Sequence, residues 1–350
     1  MSHMEEKRIR KGLREVIEKR LTLPAPLICA ILCVLLILAG CAVPSPAAPA
    51  AKGAGVGLGA LSTSAFDPNV GAPLPDNRIV AAYGIVGGTD FNGPASSLDM
   101  LNSFLPQLQQ LGNQYAALDP IHPVKLAIDL VVNGIQPCSA FPKYCSSWTD
   151  DNTVQTYVDF CKQHNLLLFF DLQLGTEPVQ DAVMNHVAVY LEKYPFVELA
   201  LDTEFHFPNT PQGYADAAGY PCCLGWMNAS EVNWALGELA QISLQRHLPR
   251  KVLLVHEWNS AVLPDKDKIQ AIPNVSLVLQ SDGFGGYDNK LGDYQVFVQQ
   301  DLLEYGGYKL FYYYSSGSTA YDFDTIGNKQ VQSPQQIMQI FPEPLFISYQ

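Results

Sequence analysis

The sequence is poor in basic residues, and a third of those it has precede Cys41. Of its 350 residues, 21 are Lys or Arg and 34 are Asp or Glu, and after Cys41 there remain 14 basic residues against 30 acidic ones. No basic stripe or cluster occurs after Cys41, so we expect no nucleic acid among the partners. An acidic surface also disfavours direct adsorption to anionic lipids.

Several short motifs of catalytic chemistry are missing as well. No CxxC pair, HxH or HExxH motif occurs, so the sequence shows no recognisable zinc site, and we expect no metal and no cofactor. No glycine-rich phosphate loop follows the first apolar run, which argues against a dinucleotide-binding fold. The GxSxG motif of many esterases is also absent, which disfavours a hydrolase of the esterase type.

Eight short apolar runs are the main pattern that is present. They are too short for typical helices and rich in β-branched or aromatic residues, and most intervals between them are long enough for a crossover helix. Eight such units predict an α/β fold, a single-domain (β/α)8 TIM barrel over residues 76–350. The predicted strands cover residues 78–85, 125–132, 166–174, 197–205, 251–258, 275–282, 308–314 and 345–349.

The first 40 residues have the features of an export signal. A positively charged stretch precedes an apolar run over 27–39, which ends in Leu38-Ala39-Gly40-Cys41. This end resembles a bacterial lipobox, in which a signal peptidase cuts before a Cys that receives a diacylglyceryl group. The run is shorter than the ~20 residues that a spanning helix needs. We therefore expect residues 1–40 to be a signal peptide and Cys41 to carry the lipid, at the extracytoplasmic face of the cell membrane. An uncleaved membrane anchor is the alternative, and it also tethers the domain.

Residues 41–75 are dominated by Pro, Ala, Gly and Ser, which is typical of a flexible linker. Export also permits disulfides. Cys138 and Cys145 share one Pro-containing loop, which predicts a local disulfide. Cys161 lies in an apparent helix and is expected to be a buried free thiol.

The fourth predicted strand ends in two carboxylates. Residues two apart on a strand share a face, so Asp202 and Glu204 are expected to point the same way. Two carboxylates that lie close together do not both ionise freely, and the pKa of one of them rises. A raised carboxyl pKa is what a general acid for a glycosidic oxygen requires, and we assign that role to Glu204.

The run over 199–205, LALDTEF, resembles the fourth-strand motif of family 18 glycoside hydrolases, the chitinase-like barrels, whose signature ends Asp-x-Asp-x-Glu. The resemblance implies that Glu204 is the acid/base. It also implies that Asp202 positions an N-acetyl group of the substrate, which acts as the nucleophile.

The resemblance has departures. Ala200 stands where the family has another Asp, and the third-strand Ser-x-Gly-Gly is replaced by Asp171-Leu172-Gln173-Leu174-Gly175. Asp282-Gly283 is only loosely similar to the family's tyrosine–aspartate strand end. The resemblance thus implies membership of the wider group of glycosidase-like barrels. A rival arrangement with Glu at the ends of strands four and seven is disfavoured, because the seventh predicted strand ends without a carboxylate.

Further polar and aromatic side chains stand at the predicted strand ends. Asp282, Glu257 or Asp171 must supply a second carboxylate if one is needed, and its distance from Glu204 sets retention or inversion. His256 and Trp258 share a face, and an aromatic plane such as Trp258 suits the face of a sugar. The expected catalytic residues are Glu204, Asp202 and Asp282. The expected substrate-binding residues are Asp171, Gln173, His256, Glu257, Trp258, Tyr312 and Tyr314.

Two functions follow from these observations. The first is a membrane-tethered extracytoplasmic glycoside hydrolase that acts on cell-wall or environmental polysaccharide by carboxylate acid/base catalysis. The alternative is a catalytically silent barrel of the cell envelope that binds a glycan or a protein. In both, the membrane is contacted through the lipid on Cys41.

Overall fold

A computed structural model of the protein describes residues 66–88, 92–208, 225–283, 286–299, 304–311 and 331–350. Eight parallel strands form a closed barrel, because β1 pairs with both β2 and β9, and the predicted TIM barrel is confirmed. Around the ring the order is β1, β2, β4, β5, β6, β7, β8 and β9. The strands are β1 (Arg78–Ile85), β2 (Val124–Ile135), β3 (Ser146–Trp148), β4 (Leu167–Leu172), β5 (Val197–Asp202), β6 (Lys251–Glu257), β7 (Val275–Ser281), β8 (Tyr305–Leu310) and β9 (Phe346–Tyr349).

The remaining strand, β3, is an addition at the mouth of the barrel. It pairs antiparallel with the end of β2, with Asn133 opposite Trp148. The loop between β2 and β3 contains the Cys138–Cys145 disulfide, which confirms that prediction. This hairpin was not expected, because the sequence analysis ended the second strand at residue 132.

Helices cover the outside of the barrel, and several of them begin with a side-chain cap. Ser97 accepts a hydrogen bond from the backbone N–H of Met100, and Asn228 forms a capping box with Glu231. None of the helices in the described ranges has the length and apolarity that a membrane crossing requires. The helices are α1 (Leu98–Leu118), α2 (Asp151–His164), α3 (Val179–Ala182), α4 (Ala188–Lys193), α5 (Ala229–Gln245), α6 (Tyr287–Tyr294) and α7 (Pro334–Ile337).

The regular alternation of strand and helix is broken at three places. A π-helical turn, Val183–Val187, joins α3 to α4, and a second one, Gln295–Gln299, follows α6. Between β6 and β7 the chain forms two 3-10 turns, Ser260–Val262 and Lys266–Lys268, in place of a helix.

The hydrophobic core has two layers, as the period-two alternation of strands requires. On β5, Leu199 and Leu201 point outward into the layer between strands and helices, and Ala200 points into the barrel. Cys161 is buried in the outer layer as a free thiol, as predicted. Phe169 and Phe346 pack edge to face inside the barrel, with 5.1 Å between ring centroids. The apolar side chains thus fill the N-terminal half of the interior and leave the C-terminal half to polar ones.

Seven of the eight predicted strands differ from the structure at one end or both, and two of these differences bear on the site. The seventh predicted strand, 308–314, is β8, which starts three residues earlier, at Tyr305, and ends at Leu310. The fourth, 197–205, is β5, which ends at Asp202 and continues as a 3-10 turn, Thr203–Phe205.

The N-terminal assignments lie largely outside the described residues. The signal peptide and Cys41 fall there, so they stay predictions. Leu74, at the end of the predicted linker, is buried and packs on the inner core layer. The packed chain therefore begins before the predicted boundary at residue 76.

Candidate functional site

A cleft of about 1080 Å³ opens at the C-terminal ends of the barrel strands. Such a volume is at the upper end of the ~300–1,000 Å³ that is usual for ligand pockets. Aromatic and apolar side chains from the loops form part of its wall, and polar side chains from the strand ends form its floor. Among the lining residues are Tyr83, Gln173, Asp202, Glu204, Trp258, Asp282, Asp288, Lys309 and Phe311.

Three carboxylates converge on this floor, and they are the three that the sequence predicted as catalytic. Asp202 is the last residue of β5, Glu204 lies in the 3-10 turn that follows, and Asp282 comes directly after β7. One carboxylate oxygen from each residue lies within 4.8 Å of the other two. We call these residues the catalytic trio, after the role that the sequence predicts for them.

The turn after β5 decides where Glu204 points. Strand alternation was expected to place Glu204 on the same face as Asp202, but the strand has already ended there. Instead the Thr203 hydroxyl donates a hydrogen bond of 2.7 Å to the carbonyl of His256, which fixes the turn against β6. The turn brings Glu204 to the cleft, half-buried beside the fully buried Asp202. The expected juxtaposition is thus present, although a different local structure produces it.

Burial raises the pKa values of Asp202 and Glu204. For Asp202, burial and then the negative charge of Asp171 raise the pKa well above its ordinary value, and the Gln173 amide donates to its Oδ2 at 3.1 Å. For Glu204, burial and then the charge of Asp282 raise the pKa to about 7, while a hydrogen bond from Trp258 opposes the rise. Both groups therefore hold a proton over much of the acidic to neutral range.

Asp282 has the opposite behaviour. Burial by itself raises the pKa of Asp282, but two cations outweigh burial and lower that pKa to about 2. Lys309 Nζ lies 2.9 Å from Oδ1, and His256 Nδ1 lies 2.8 Å from Oδ2. Lys309 also lies 3.7 Å from the ring centroid of Tyr83, a cation–π contact that helps to hold the ammonium in the interior. Asp282 is therefore the anion of the catalytic trio.

Two further carboxylates lie next to His256, deeper in the barrel. Asp129 on β2 and Asp171 on β4 are both fully buried, and their closest oxygens are 3.9 and 3.6 Å from His256 Nε2. Burial and then the charge of Asp171 raise the pKa of Asp129 to about 7. Burial lowers the pKa of His256, but the surrounding carboxylates outweigh it and raise the pKa to about 10.

The predicted substrate-binding residues are divided by the structure. Gln173 and Trp258 line the cleft, and Trp258 is 38% exposed there. Asp171 and His256 are buried in the barrel interior. Glu257 takes the other face of β6, where it forms a buried ion pair of 2.7 Å with Lys266. The structure does not bring Glu257 to the catalytic trio, because the alternation that turns His256 inward turns its neighbour outward. Tyr312 and Tyr314 lie outside the described residues.

Sequence reasoning missed Lys309 and gave Asp129 no role in the site. Lys309 was placed near the start of its strand, because the glycines at 306 and 307 hide the true beginning of β8. A lone Lys between apolar residues was the available signal, since a buried Lys needs a partner. Asp129 in the run KLAIDLVV carried a similar signal on the inner face of β2.

Two groups of side chains in the interior have the composition and spacing of metal ligands. They are the catalytic trio and the set of Asp129, Asp171 and His256. A third group, Asp119, His122 and Glu343, lies at the N-terminal end of the barrel.

No protein-family model matches the chain, and no curated protein matches it. The closed barrel with its buried carboxylates is compatible with a glycoside-hydrolase-like architecture. The resemblance to family 18 therefore rests only on the motif at the end of the fourth predicted strand.

Proposed function

We propose that the protein is a glycoside hydrolase in which Glu204 is the general acid. The observation that carries the proposal is the convergence of Glu204 and Asp282 at the floor of the cleft, with surroundings that move their pKa values apart. Two adjacent carboxyl groups of which one is protonated and the other is ionised are the arrangement that glycosidic bond cleavage requires.

Glu204 has the position and the acidity of the proton donor. It lines the cleft, so a bound glycoside can reach it, and its pKa of about 7 keeps it protonated below neutral pH. In the first step the Glu204 proton passes to the glycosidic oxygen as the bond to the anomeric carbon breaks. An Asp282 oxygen bonds to the anomeric carbon as the leaving group departs. Water then displaces Asp282 from that carbon and gives a proton to the Glu204 carboxylate, which regenerates the acid.

Asp282 supplies the negative charge that an oxocarbenium-like transition state needs. Its oxygens remain anionic because Lys309 and His256 lie beside them. One carboxylate oxygen of Asp282 lies within 4.8 Å of one of Glu204, which is compatible with the close carboxyl pair of retaining enzymes and is shorter than the ~6.5–9.5 Å of inverting ones. The geometry thus favours retention of configuration.

The resemblance to family 18 suggests a second route to retention. In that route the substrate's own N-acetyl group attacks the anomeric carbon, and Asp202 positions the amide. Asp202 fits the role, because it is held by Gln173 and carries a proton that it can donate. The two routes differ in one requirement: only the second needs an N-acetylated sugar at the cleavage site.

The surroundings of the trio suit a carbohydrate. Trp258 is partly exposed and hydrogen-bonds to Glu204, so its indole plane lies beside the scissile position. Phe311 and Asn259 add an aromatic face and an amide to the same wall. Aromatic planes with interspersed hydrogen-bonding groups recognise the alternating C–H and O–H faces of sugars.

We further propose that the enzyme is tethered by lipid on Cys41 at the extracytoplasmic face of the cell membrane, where cell-wall or environmental polysaccharide is the substrate. The support is the lipobox-like sequence and the Pro- and Gly-rich segment that follows it. Mass spectrometry of the N-terminal peptide tests this: a diacylglyceryl group on Cys41 is expected. An unmodified peptide that still begins at Met1 contradicts the lipoprotein assignment.

The catalytic proposal is tested with Glu204→Gln, which keeps the size of the side chain but cannot donate a carboxyl proton. Wild-type protein is incubated with N-acetylated and non-acetylated oligosaccharides, and products are identified by mass spectrometry. We expect turnover in the wild type and a loss of at least about 100-fold in the variant, since general acid catalysis contributes ~10²–10⁴-fold. Asp288→Asn is the matched control, because Asp288 lines the cleft but is exposed and is not a member of the catalytic trio.

A silent glycan-binding barrel is the competing proposal, and one observation favours it. Asp202 and Asp282 are buried and already engaged with Gln173, Lys309 and His256, so Glu204 is the member of the trio that is open to the cleft. Saturable binding of an oligosaccharide without any product in the wild type supports this alternative. Full turnover in Glu204→Gln, by contrast, removes Glu204 from the mechanism.

A further inference from the structure

The barrel interior holds a second set of polar side chains next to the catalytic trio. Asp129, Asp171 and His256 are 0%, 0% and 2% exposed. They come from β2, β4 and β6, and one ligand atom from each lies within 4.8 Å of the others. We call these residues the inner triad. The proposed glycosidase mechanism does not use the carboxylate oxygens of Asp129 and Asp171 or the Nε2 atom of His256.

The polar atoms of the inner triad have no hydrogen-bond partners within the described part of the chain. This holds for both carboxylate oxygens of Asp129, both of Asp171, and Nε2 of His256. A buried polar atom left in this state costs about 1–3 kcal/mol, and buried charges in folded proteins are paired or bound to metal ions. Five such atoms in one place point to a ligand that the three side chains share.

Asp282 prepares His256 to be a metal ligand. The Nδ1 atom of His256 lies 2.8 Å from Oδ2 of Asp282. A carboxylate that accepts a hydrogen bond from Nδ1–H selects the tautomer in which Nε2 carries a lone pair. Metal-binding histidines commonly have such a partner. Nε2 is the atom that faces Asp171 and Asp129. The side chain is therefore oriented by one carboxylate toward two others.

We propose that the inner triad binds one divalent transition-metal ion, for which Zn²⁺ is the best fit. Zinc lies ~2.0–2.2 Å from imidazole nitrogen and carboxylate oxygen, so two ligand atoms on a tetrahedral ion are about 3.3–3.6 Å apart. The distances from His256 Nε2 to Asp171 and Asp129, 3.6 and 3.9 Å, need only a small contraction.

Charge and ligand type support the same ion. Metal ligands bind in their deprotonated forms, so the ion would take the place of the protons on His256 and the aspartates. Two ionised carboxylates and a neutral imidazole then carry two negative charges, which one divalent cation balances. Imidazole is a ligand of zinc, iron and copper, whereas magnesium and calcium prefer sites built from oxygen alone. The proposal departs from the expectation of no metal, because ligands on three separate strands leave no spacing motif in the sequence.

The direct test is equilibrium dialysis of EDTA-treated protein against Zn²⁺, with the bound metal measured by mass spectrometry. We expect one zinc ion per chain in the wild type. Asp171→Asn removes a ligand and is expected to weaken binding by more than about 100-fold. Asp282→Asn keeps all three ligands but removes the carboxylate partner of His256, and it is expected to weaken zinc binding by ~10–100-fold.

Two variants serve as matched controls for other sites. Glu204→Gln alters the neighbouring catalytic trio, and His122→Ala alters the group at the opposite end of the barrel. Both are expected to keep wild-type zinc affinity. Zinc lost in Glu204→Gln instead places the ion in the catalytic trio and overturns the proposal. This readout does not depend on turnover, so the glycosidase proposal can fail while the zinc site stands.

Folding of each variant is checked by circular dichroism. If Asp171→Asn does not fold, Asp129→Asn replaces it. If neither folds, a crystal of the wild type soaked in Zn²⁺ decides the matter through its anomalous signal, which is expected between His256 Nε2 and the two aspartates. Absence of stoichiometric zinc in the wild type, or wild-type affinity in folded Asp171→Asn and Asp129→Asn, refutes the site and leaves an imidazolium shared between carboxylates.

Discussion

The acidity of Glu204 is the quantity on which the proposed catalysis depends most directly, and Asp282→Asn is the change that tests its origin. Burial is the largest cause of the raised pKa of Glu204, and the charge of Asp282 is the second. Lys309 opposes both, because its positive charge lowers that pKa. The variant removes the negative charge and also leaves Lys309 without its carboxylate partner. Both changes act in the same direction, so the pKa of Glu204 must fall.

The size of the fall follows from the separation of the two carboxylates. Two unit charges 4.8 Å apart, the limit of the observed separation, interact with about 0.9 kcal/mol in bulk water and about 3.5 kcal/mol at an effective dielectric constant of 20. Because a pKa change of one corresponds to about 1.4 kcal/mol, the pKa should fall by between about 0.6 and 2.5. The cleft is open to solvent on the Glu204 side, which favours the lower part of this range.

The assay is a pH titration of protein labelled with ¹³C at the glutamate carboxyl group. Comparison with Glu204→Gln identifies the Glu204 signal. We expect a midpoint of about 7 in the wild type and a lower midpoint in Asp282→Asn. In the wild type, kcat/KM should fall tenfold for each pH unit above the same midpoint, since a general acid must be protonated to act. An unchanged or higher midpoint in the variant refutes the electrostatic coupling.

Three further predictions concern fold and substrate. Glu198 is buried inside β5 with its pKa raised to about 7 by burial, so the wild type loses stability as pH rises from 4.5 through 7. Glu198→Gln keeps the acceptor for the Val252 N–H. Its free energy of unfolding, measured with urea, should exceed that of the wild type by up to about 3 kcal/mol at pH 8 and be equal to it near pH 4. Equal gains at both pH values contradict this prediction. Trp258→Ala should raise KM for an oligosaccharide about tenfold, as expected for the loss of one stacking surface, while the fold is kept; an unchanged KM places the sugar elsewhere. Cys138→Ser opens the disulfide to Cys145 and should cost about 2–3 kcal/mol, as expected for a loop with a sequence separation of 7; a smaller loss in urea unfolding means that the β2–β3 hairpin is held by its other contacts.

The barrel and the position of its catalytic trio follow from a pattern that is visible in the sequence. Parallel strands place all their C-terminal ends at one mouth, so carboxylates at the ends of the fourth and sixth predicted strands must meet there. Asp202, Glu204 and Asp282 do so, although they are separated along the chain by up to 80 positions. No knowledge of exact strand ends was needed, because the turn at Glu204 still left its side chain at the cleft.

Strand register is the part that local sequence could not supply. Gly306 and Gly307 have little intrinsic preference for a strand, and they belong to β8 because β7 and β9 offer hydrogen-bonding edges on both sides. The predicted strand has Lys309 as its second residue. Because β8 starts three residues earlier, Lys309 lies near its C-terminal end, where the site is. Asp129 is similar, since its proximity to Asp171 depends on the pairing of β2 with β4.

The buried charges in the upper half of the barrel bear on the choice between an enzyme and a silent binding barrel. Removing carboxylates such as Asp202 and Asp282 from water opposes folding, and replacing buried ionic groups by apolar ones of similar size is often neutral or stabilising by ~1–4 kcal/mol. The apolar lower half, with Phe169 and Phe346, shows that this chain fills its barrel with hydrophobic side chains where nothing else is required. A barrel that only binds a glycan needs aromatic faces and hydrogen-bonding groups at its mouth, and it gains nothing from carboxylates with opposed acidities beneath them. Proton transfer in a reaction, or the binding of a cation, does require such carboxylates. The composition of the interior therefore argues for chemistry at this cleft, and the turnover of Glu204→Gln and the zinc content of Asp171→Asn test the two halves of that argument separately.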